Sequence, residues 1–212
     1  MMKTVMLYRR SIQVLVPLML AACLCSCFPR LLPGDAPTLV RLNPAMPGNM
    51  SGGQPKQQIT VGIPQLAQDI DNDRITVILK GREVRQLSGA RWSAGLGSVV
   101  NDCIVRALES TQAFAGVSGE VDGLVSQRRL NSEIRLFALE YASETDSPTA
   151  RFSAVFRLLD ARQAKIVATR QVDVSVPAAG TDTTALVSAL EQALEKGLAE
   201  MSAWVVANIN RK

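Results

Sequence analysis

The chain has 212 residues and a mass of 22.8 kDa, 47% of the residues hydrophobic and 20% charged, which suits one globular domain with a sizeable core. It contains no histidine, so Ser-His-Asp and Cys-His catalysis and every metal site that needs an imidazole are excluded. Of the 23 Lys and Arg residues three, Lys3, Arg9 and Arg10, precede Cys23, where no Asp or Glu stands, so the remainder carries 20 basic against 19 acidic side chains and lacks the concentrated basic face that nucleic acid requires.

Residues 1–10, MMKTVMLYRR, are a positive leader, and residues 11–22, SIQVLVPLMLAA, are a mostly apolar run of twelve. As a helix that run spans about 18 Å, well short of the roughly 30 Å hydrocarbon core of a bilayer. It therefore reads as a signal peptide over 1–22. The segment Leu20-Ala21-Ala22-Cys23 resembles the lipobox of bacterial lipoproteins, with small residues where a peptidase must grip extended backbone and a cysteine that becomes the acylated first residue. Leu24-Cys25-Ser26-Cys27 is the alternative, with Cys27 as the lipidated residue. Leu24 and Phe28, which follow the two candidates, are not the aspartate that favours inner-membrane retention, so the outer membrane is the default destination. A metal site made of Cys23, Cys25 and Cys27 has no further ligand nearby, and Cys103 is the one cysteine beyond this stretch, so no metal is expected.

Residues 23–37, with three prolines from Pro29 to Pro37, read as an acylated tether, and residues 38–212 as a single periplasmic domain. A short strand is expected over Thr38–Leu42, followed by a Pro- and Gly-rich flexible loop over 43–58. ITVGI at 59–63 is a β-branched strand, and RITVILKGREVRQL places two strands around Lys80-Gly81-Arg82. From Trp92 the spacing of Trp92, Leu96, Val99, Cys103 and Ala107 predicts a helix ending near Ala115-Gly116.

Three long strands follow. EIRLFALEYA at 133–142 is apolar on both alternating sets from Leu136 to Tyr141, which predicts cover on both faces. In RFSAVFRLLD the set Phe152, Ala154, Phe156, Leu158 is apolar and Arg151, Ser153 and Arg157 alternate against it. KIVATRQVDVSV at 165–176 continues the meander after a turn at Ala161–Ala164. The last element, capped at Asp182 or Thr183, carries Leu186, Leu190, Leu194, Met201 and Val205 on one side and is the longest helix. These elements predict an α/β fold, a three-layer α/β/α sandwich with a mixed, partly antiparallel sheet and a long C-terminal helix.

Site candidates are few. Asp69, Asp71 and Asp73 mimic the start of a calcium loop, but Arg74 stands where its glycine belongs and Lys80 where its bidentate glutamate belongs, so a solvated turn is expected. Arg128 and Arg129, with Arg135, suit phospholipid head groups or an acidic partner, against the plainer reading of solvated strand-edge charge. Trp92 and Trp204 sit at core spacing, Cys103 reads as a buried free thiol, and Glu140 is a candidate perturbed acid with no partner carboxylate. Gly95 and Gly97 lack the third glycine of a dinucleotide motif, and no cofactor is expected.

The order of these features resembles the ABC-type transport auxiliary lipoproteins, which include the paraquat-inducible protein C-like proteins and auxiliary components of cholesterol transport systems. The residues that carry the likeness are Asp71-Asn72-Asp73-Arg74-Ile75, Arg91-Trp92-Ser93, Phe114-Ala115-Gly116-Val117, Leu136-Phe137-Ala138-Leu139-Glu140-Tyr141 and Ala203-Trp204-Val205, spread over about residues 37–209. Tyrosines usual in the family's first strand and before its Arg-Trp pair are absent here. The resemblance implies a non-enzymatic, lipid-anchored periplasmic subunit acting with a mammalian-cell-entry (MCE) substrate-binding protein, an ABC permease and an ATPase in lipid transport between the membranes. Contact with a phospholipid or sterol-like lipid and homo-oligomerisation are compatible with it. A structural outer-membrane lipoprotein assisting lipopolysaccharide or outer-membrane protein insertion fits the same anchor and fold. An enzyme would need a deep polar pocket around Glu140 or Lys165.

Overall fold

The computed structural model describes residues 36–52, 57–120, 126–143 and 146–210. In chain order its elements are β1 (Thr38–Val40), β2 (Gln58–Val61), β3 (Gln65–Leu66), β4 (Arg74–Leu79), β5 (Glu83–Trp92), α1 (Leu96–Ser110), β6 (Gly116–Gly119), β7 (Arg128–Tyr141), β8 (Thr149–Asp160), β9 (Lys165–Pro177) and α2 (Thr183–Asn208).

β7 organises the sheet because its length, about 46 Å at 3.3 Å per residue, exceeds that of any neighbour on one side. Along one edge it pairs antiparallel with β8 from Arg128↔Asp160 to Glu140↔Thr149. Its other edge is shared in series by three parallel strands: β2 (Ile59↔Arg128), β3 (Gln65↔Glu133) and β4 (Thr76↔Ala138). β9 extends the sheet beyond β8, β5 and then β1 extend it beyond β4, and β6 flanks β2. The sheet is therefore mixed and partly antiparallel, and the fold class is α/β, as the sequence pattern indicates.

One set of alternating side chains builds the core. Phe152, Ala154, Phe156 and Leu158 of β8 are buried together with Leu130, Ile134, Phe137 and Leu139 of β7. α2 lays Leu186, Leu190, Leu194, Leu198, Met201 and Val205 on this face across β7–β9, after an N-cap in which the Asp182 carboxylate accepts from the Ala185 amide at 3.1 Å. α1 lays Leu96, Val100, Cys103, Ile104 and Leu108 beside it, against β2 and β6. The two helices also pack on one another and feed one continuous core, so among the described residues both lie on the same side.

That placement revises the layer count to two. The expectation of cover on both faces rested on the doubly apolar run in β7, where Ala138 is fully buried on the side away from the helices. Ala138 is small and is flanked in register by Thr76 and Arg151, so longer neighbouring side chains shield it without a second helical layer.

Trp92 is a second correction. It closes β5, and α1 begins only at Leu96; Trp92 is 2% exposed and stacks on Phe137 with ring centroids 5.8 Å apart. Phe137 in turn meets Phe152 edge-on at 6.0 Å. The end of α1 also falls earlier than expected: the helix stops at Ser110, the Thr111 hydroxyl donates to the Leu108 carbonyl at 2.6 Å, and Gln112 takes the left-handed conformation in place of a glycine.

α2 can approach the sheet closely because position 197 has no side chain. A Cβ there would stand 2.5 Å from Cδ1 and Cε1 of Phe152, so glycine is required by the Phe152 ring rather than by backbone angle.

Candidate functional site

Strand alternation separates the arginines that the sequence groups together. Arg128 points into the core side and is 7% exposed; its Nη1 donates to the Asp160 carboxylate at 2.8 Å and its Nε to the Ile209 carbonyl at 3.0 Å, at the C-terminus of α2. A guanidinium is favourable there, since the last carbonyls of a helix carry partial negative charge. Arg129 points to the opposite face, where it donates to Glu120 and, at 2.9 Å, to the Asn131 side chain. Arg135 pairs with Glu133 at 3.0 Å. The three do not form one cationic patch, and β7 is an interior strand, so the strand-edge reading of this charge does not hold either.

Because Arg128 is buried and holds two elements together, Arg128→Ala is expected to cost about 2 kcal/mol, the usual cost of stranding a buried partner discounted for the partial exposure of Asp160. Arg129→Ala, at the surface, is expected to cost under about 1 kcal/mol. Urea unfolding of the two variants beside the unsubstituted chain separates them, and equal costs would contradict this division of roles.

The face turned away from the helices carries the densest set of ionisable contacts. Arg157 on β8 reaches Glu133 on β7 at 2.8 Å, and Arg151 on β8 reaches Glu140 on β7 at 3.1 Å. Both are diagonal neighbours across the ladder, since the direct partners of Glu133 and Glu140 are Val155 and Thr149. On β9, Asp173 accepts from Ser153 and, at 2.8 Å, from Gln171. The hydrogen bond from Arg157, then that from Arg135, hold the Glu133 carboxyl below the usual range. Arg129 and the Ile63 amide do the same for Glu120, Ser153 and Gln171 for Asp173, and the amide of Gln163 foremost for Asp160.

These depressed values give a pH dependence of stability. Each group binds its proton less readily in the folded chain than in the unfolded one, so its contribution is present above the unfolded pKa and is lost as pH falls through the folded value. Thermal midpoints are expected to hold between pH 7 and about 5 and to drop between about pH 5 and pH 3. Because these carboxylates are exposed or only partly buried, added salt should shrink the drop.

Glu140 lines a polar cleft of about 480 Å³ with Lys80, Tyr141, Ser147, Thr149 and Arg151, and it is the one carboxylate among the described lining residues. Tyr141 in that cleft is pushed upward by burial. Lys165 is exposed at the start of β9. Cys103 is a free, buried thiol, raised by burial, with Arg106 Nη2 3.6 Å from its sulfur. Trp204 is half-buried against the core. Asp69–Asp73 form a turn in which Asp73 meets Arg91 at 3.6 Å, and Gly95 is the N-cap of α1 without a side-chain bond. Cys23 and Cys27 lie outside the described residues. The Glu133–Arg157 and Glu140–Arg151 diagonals were not singled out from the sequence; the signal was the alternation of Arg151 and Arg157 against the apolar set of β8.

No helix among the described residues is long and apolar enough to cross a membrane. The chain is thus a one-sided α/β sandwich whose free sheet face is laced with arginine–carboxylate pairs. It belongs to the ABC-type transport auxiliary lipoprotein component family, whose model matches residues 41–202. Among solved structures it is similar to protein XCC0632 from Xanthomonas campestris, of the DUF330 family, with 29% identity and a TM-score of 0.72 over 81% of this chain and 96% of that one. It shares its fold with a second, uncharacterized protein at 14% identity and a TM-score of 0.58, over 78% of this chain and all of that one. No curated protein matches the sequence. The family associates the chain with an ABC-type transport system and with the cell envelope.

Proposed function

We propose that the protein is a non-catalytic, lipid-anchored subunit on the periplasmic side of the envelope, acting with an MCE-domain substrate-binding protein, an ABC permease and its ATPase to move lipid between the inner and outer membranes. The observation that carries this reading is the family match over residues 41–202, downstream of the lipobox at Leu20–Cys23. Acylation at Cys23 holds the domain at the outer membrane, and the domain docks the MCE assembly. Paired side chains on the free sheet face suit such docking, because each guanidinium is already oriented by a carboxylate and little side-chain freedom is lost on binding. A catalytic role has less support: Glu140 is tied to Arg151, and a lone ion-paired carboxylate supplies neither a nucleophile nor an acid/base pair.

Affinity purification of the acylated full chain from membranes in mild detergent tests the reading. Recovery of an MCE-domain protein with its permease and ATPase is the expected result. Their absence, with components of lipopolysaccharide or outer-membrane protein insertion in their place, would replace it with the structural-lipoprotein alternative.

A further inference from the structure

The β4–β5 hairpin ends in a feature that the docking role does not use. Lys80 and Gly81 both have positive φ, 51° and 66°, and the Arg82 amide donates to the Leu79 carbonyl at 3.0 Å, a tight turn within the three-residue connection between the paired Leu79 and Glu83. Every residue from Lys80 to Gln86 is exposed. The helix contacts fall chiefly on β2 and β6–β9, so neither helix packs closely on this hairpin, although Ile75, Val77, Ala90 and Trp92 further along β4 and β5 join the core.

The exposed tip is amphipathic on both faces. Val84 is 50% exposed and pairs with Ile78 on one face. On the other, Val77, Leu79, Leu87 and Tyr141 floor a shallow groove of about 360 Å³, with Arg85 at its rim. Three cations, Lys80, Arg82 and Arg85, stand against one acid, Glu83, within Lys80–Gln86. Arg85 is paired with Glu83 at 2.7 Å, whereas neither Lys80 nor Arg82 has a carboxylate partner among the described residues. A turn with an exposed aliphatic side chain, Val84, close after the unpaired cations Lys80 and Arg82 has the chemistry that an anionic bilayer surface recognises: basic groups are drawn to the negative surface, and the apolar side chain enters the headgroup boundary.

We propose that the hairpin tip, Lys80–Gln86, contacts the surface of an anionic phospholipid membrane, with Lys80 and Arg82 at the phosphates and Val84 in the interface. The contact stands whether or not the MCE reading is correct. It gives the domain a second attachment to lipid besides the acyl chain and so orients the sheet relative to the membrane.

The test uses the full chain carrying Val84→Trp as a fluorescent reporter, mixed with vesicles of phosphatidylcholine and phosphatidylglycerol containing acyl-brominated lipid. Ile166→Trp is the control, since Ile166 is also 50% exposed but lies on β9 at another edge of the sheet. The native Trp92 and Trp204 contribute the same background to both, and an acyl anchor is common to both. The expected result is a blue shift and bromine quenching for Val84→Trp, weak on pure phosphatidylcholine vesicles, absent for Ile166→Trp, and lost on adding Lys80→Glu and Arg82→Glu. Unchanged thermal midpoints show that the variants are folded. The proposal is overturned by an unshifted Val84→Trp signal, by equal quenching at both positions, or by a shift that survives the charge reversal. An unshifted reporter would leave the tip free for a protein partner.

Discussion

Gly197→Val is expected to cost about 4 kcal/mol and to leave the chain largely unfolded in modest urea, because overpacking beside a ring that cannot move lies at the upper end of such penalties. The first added carbon would already stand 2.5 Å from two atoms of the Phe152 ring. That ring is 1% exposed and meets Phe137 edge-on, and Phe137 is stacked on Trp92, so swinging it aside disturbs three buried aromatics. Gly197→Ala sets two effects against each other: about 1 kcal/mol of helix propensity gained and about 2–3 kcal/mol of overpacking, for a net cost of about 1–2 kcal/mol. Replacing the ring tests the cause. In a Phe152→Leu background Gly197→Ala should cost less, and a coupling of at least about 0.5 kcal/mol in the double-mutant cycle is the expected reading. If Gly197→Ala alone proves as stable as the parent chain, Phe152 is not what keeps this position empty.

The long elements were legible because their signals are local. β8 alternates from Phe152 to Leu158 with Val155 as the one apolar exception, the Lys80-Gly81 turn carries its own φ requirement, and α2 keeps its stripe from Leu186 to Val205 behind an Asp182 cap. What escaped is non-local. β3 is two residues and β6 is four, too short for a period; they become strands because the free edge of β7 and then of β2 supplies hydrogen-bond partners. Trp92 shares helical spacing with Leu96 and Val99, yet the chain breaks through Ser93-Ala94-Gly95 and the tryptophan serves the core from a strand end. The expected second helical layer rested on the doubly apolar run from Leu136 to Tyr141, and a small residue such as Ala138 shielded by neighbouring side chains gives the same hydropathy signal as one covered by a helix. Arg128 and Arg129 are adjacent in sequence and lie on opposite faces of β7, so their separation follows from the strand period once β7 is seen to begin at Arg128.

Cys23→Ala is expected to abolish incorporation of labelled palmitate into the full chain, an all-or-none effect. The apolar run of 11–22 is too short to span a bilayer as a helix and ends on Leu20-Ala21-Ala22 before Cys23, the pattern expected of a signal peptide cleaved ahead of an acylated cysteine. A single acyl chain holds a protein to a bilayer only marginally, with an association constant near about 10⁴ M⁻¹, whereas two or more hold it stably. On this reading lipidation at Cys23 supplies the stable anchor, and the Lys80–Gln86 tip adds a second, weaker contact. Cys27→Ala, by contrast, should keep the label, and the intact mass of the delipidated wild-type chain should match a start at Cys23. Retained label in Cys23→Ala, with a mass that begins at Cys27, would move the anchor four residues along the chain and shorten the tether before β1 by the same amount.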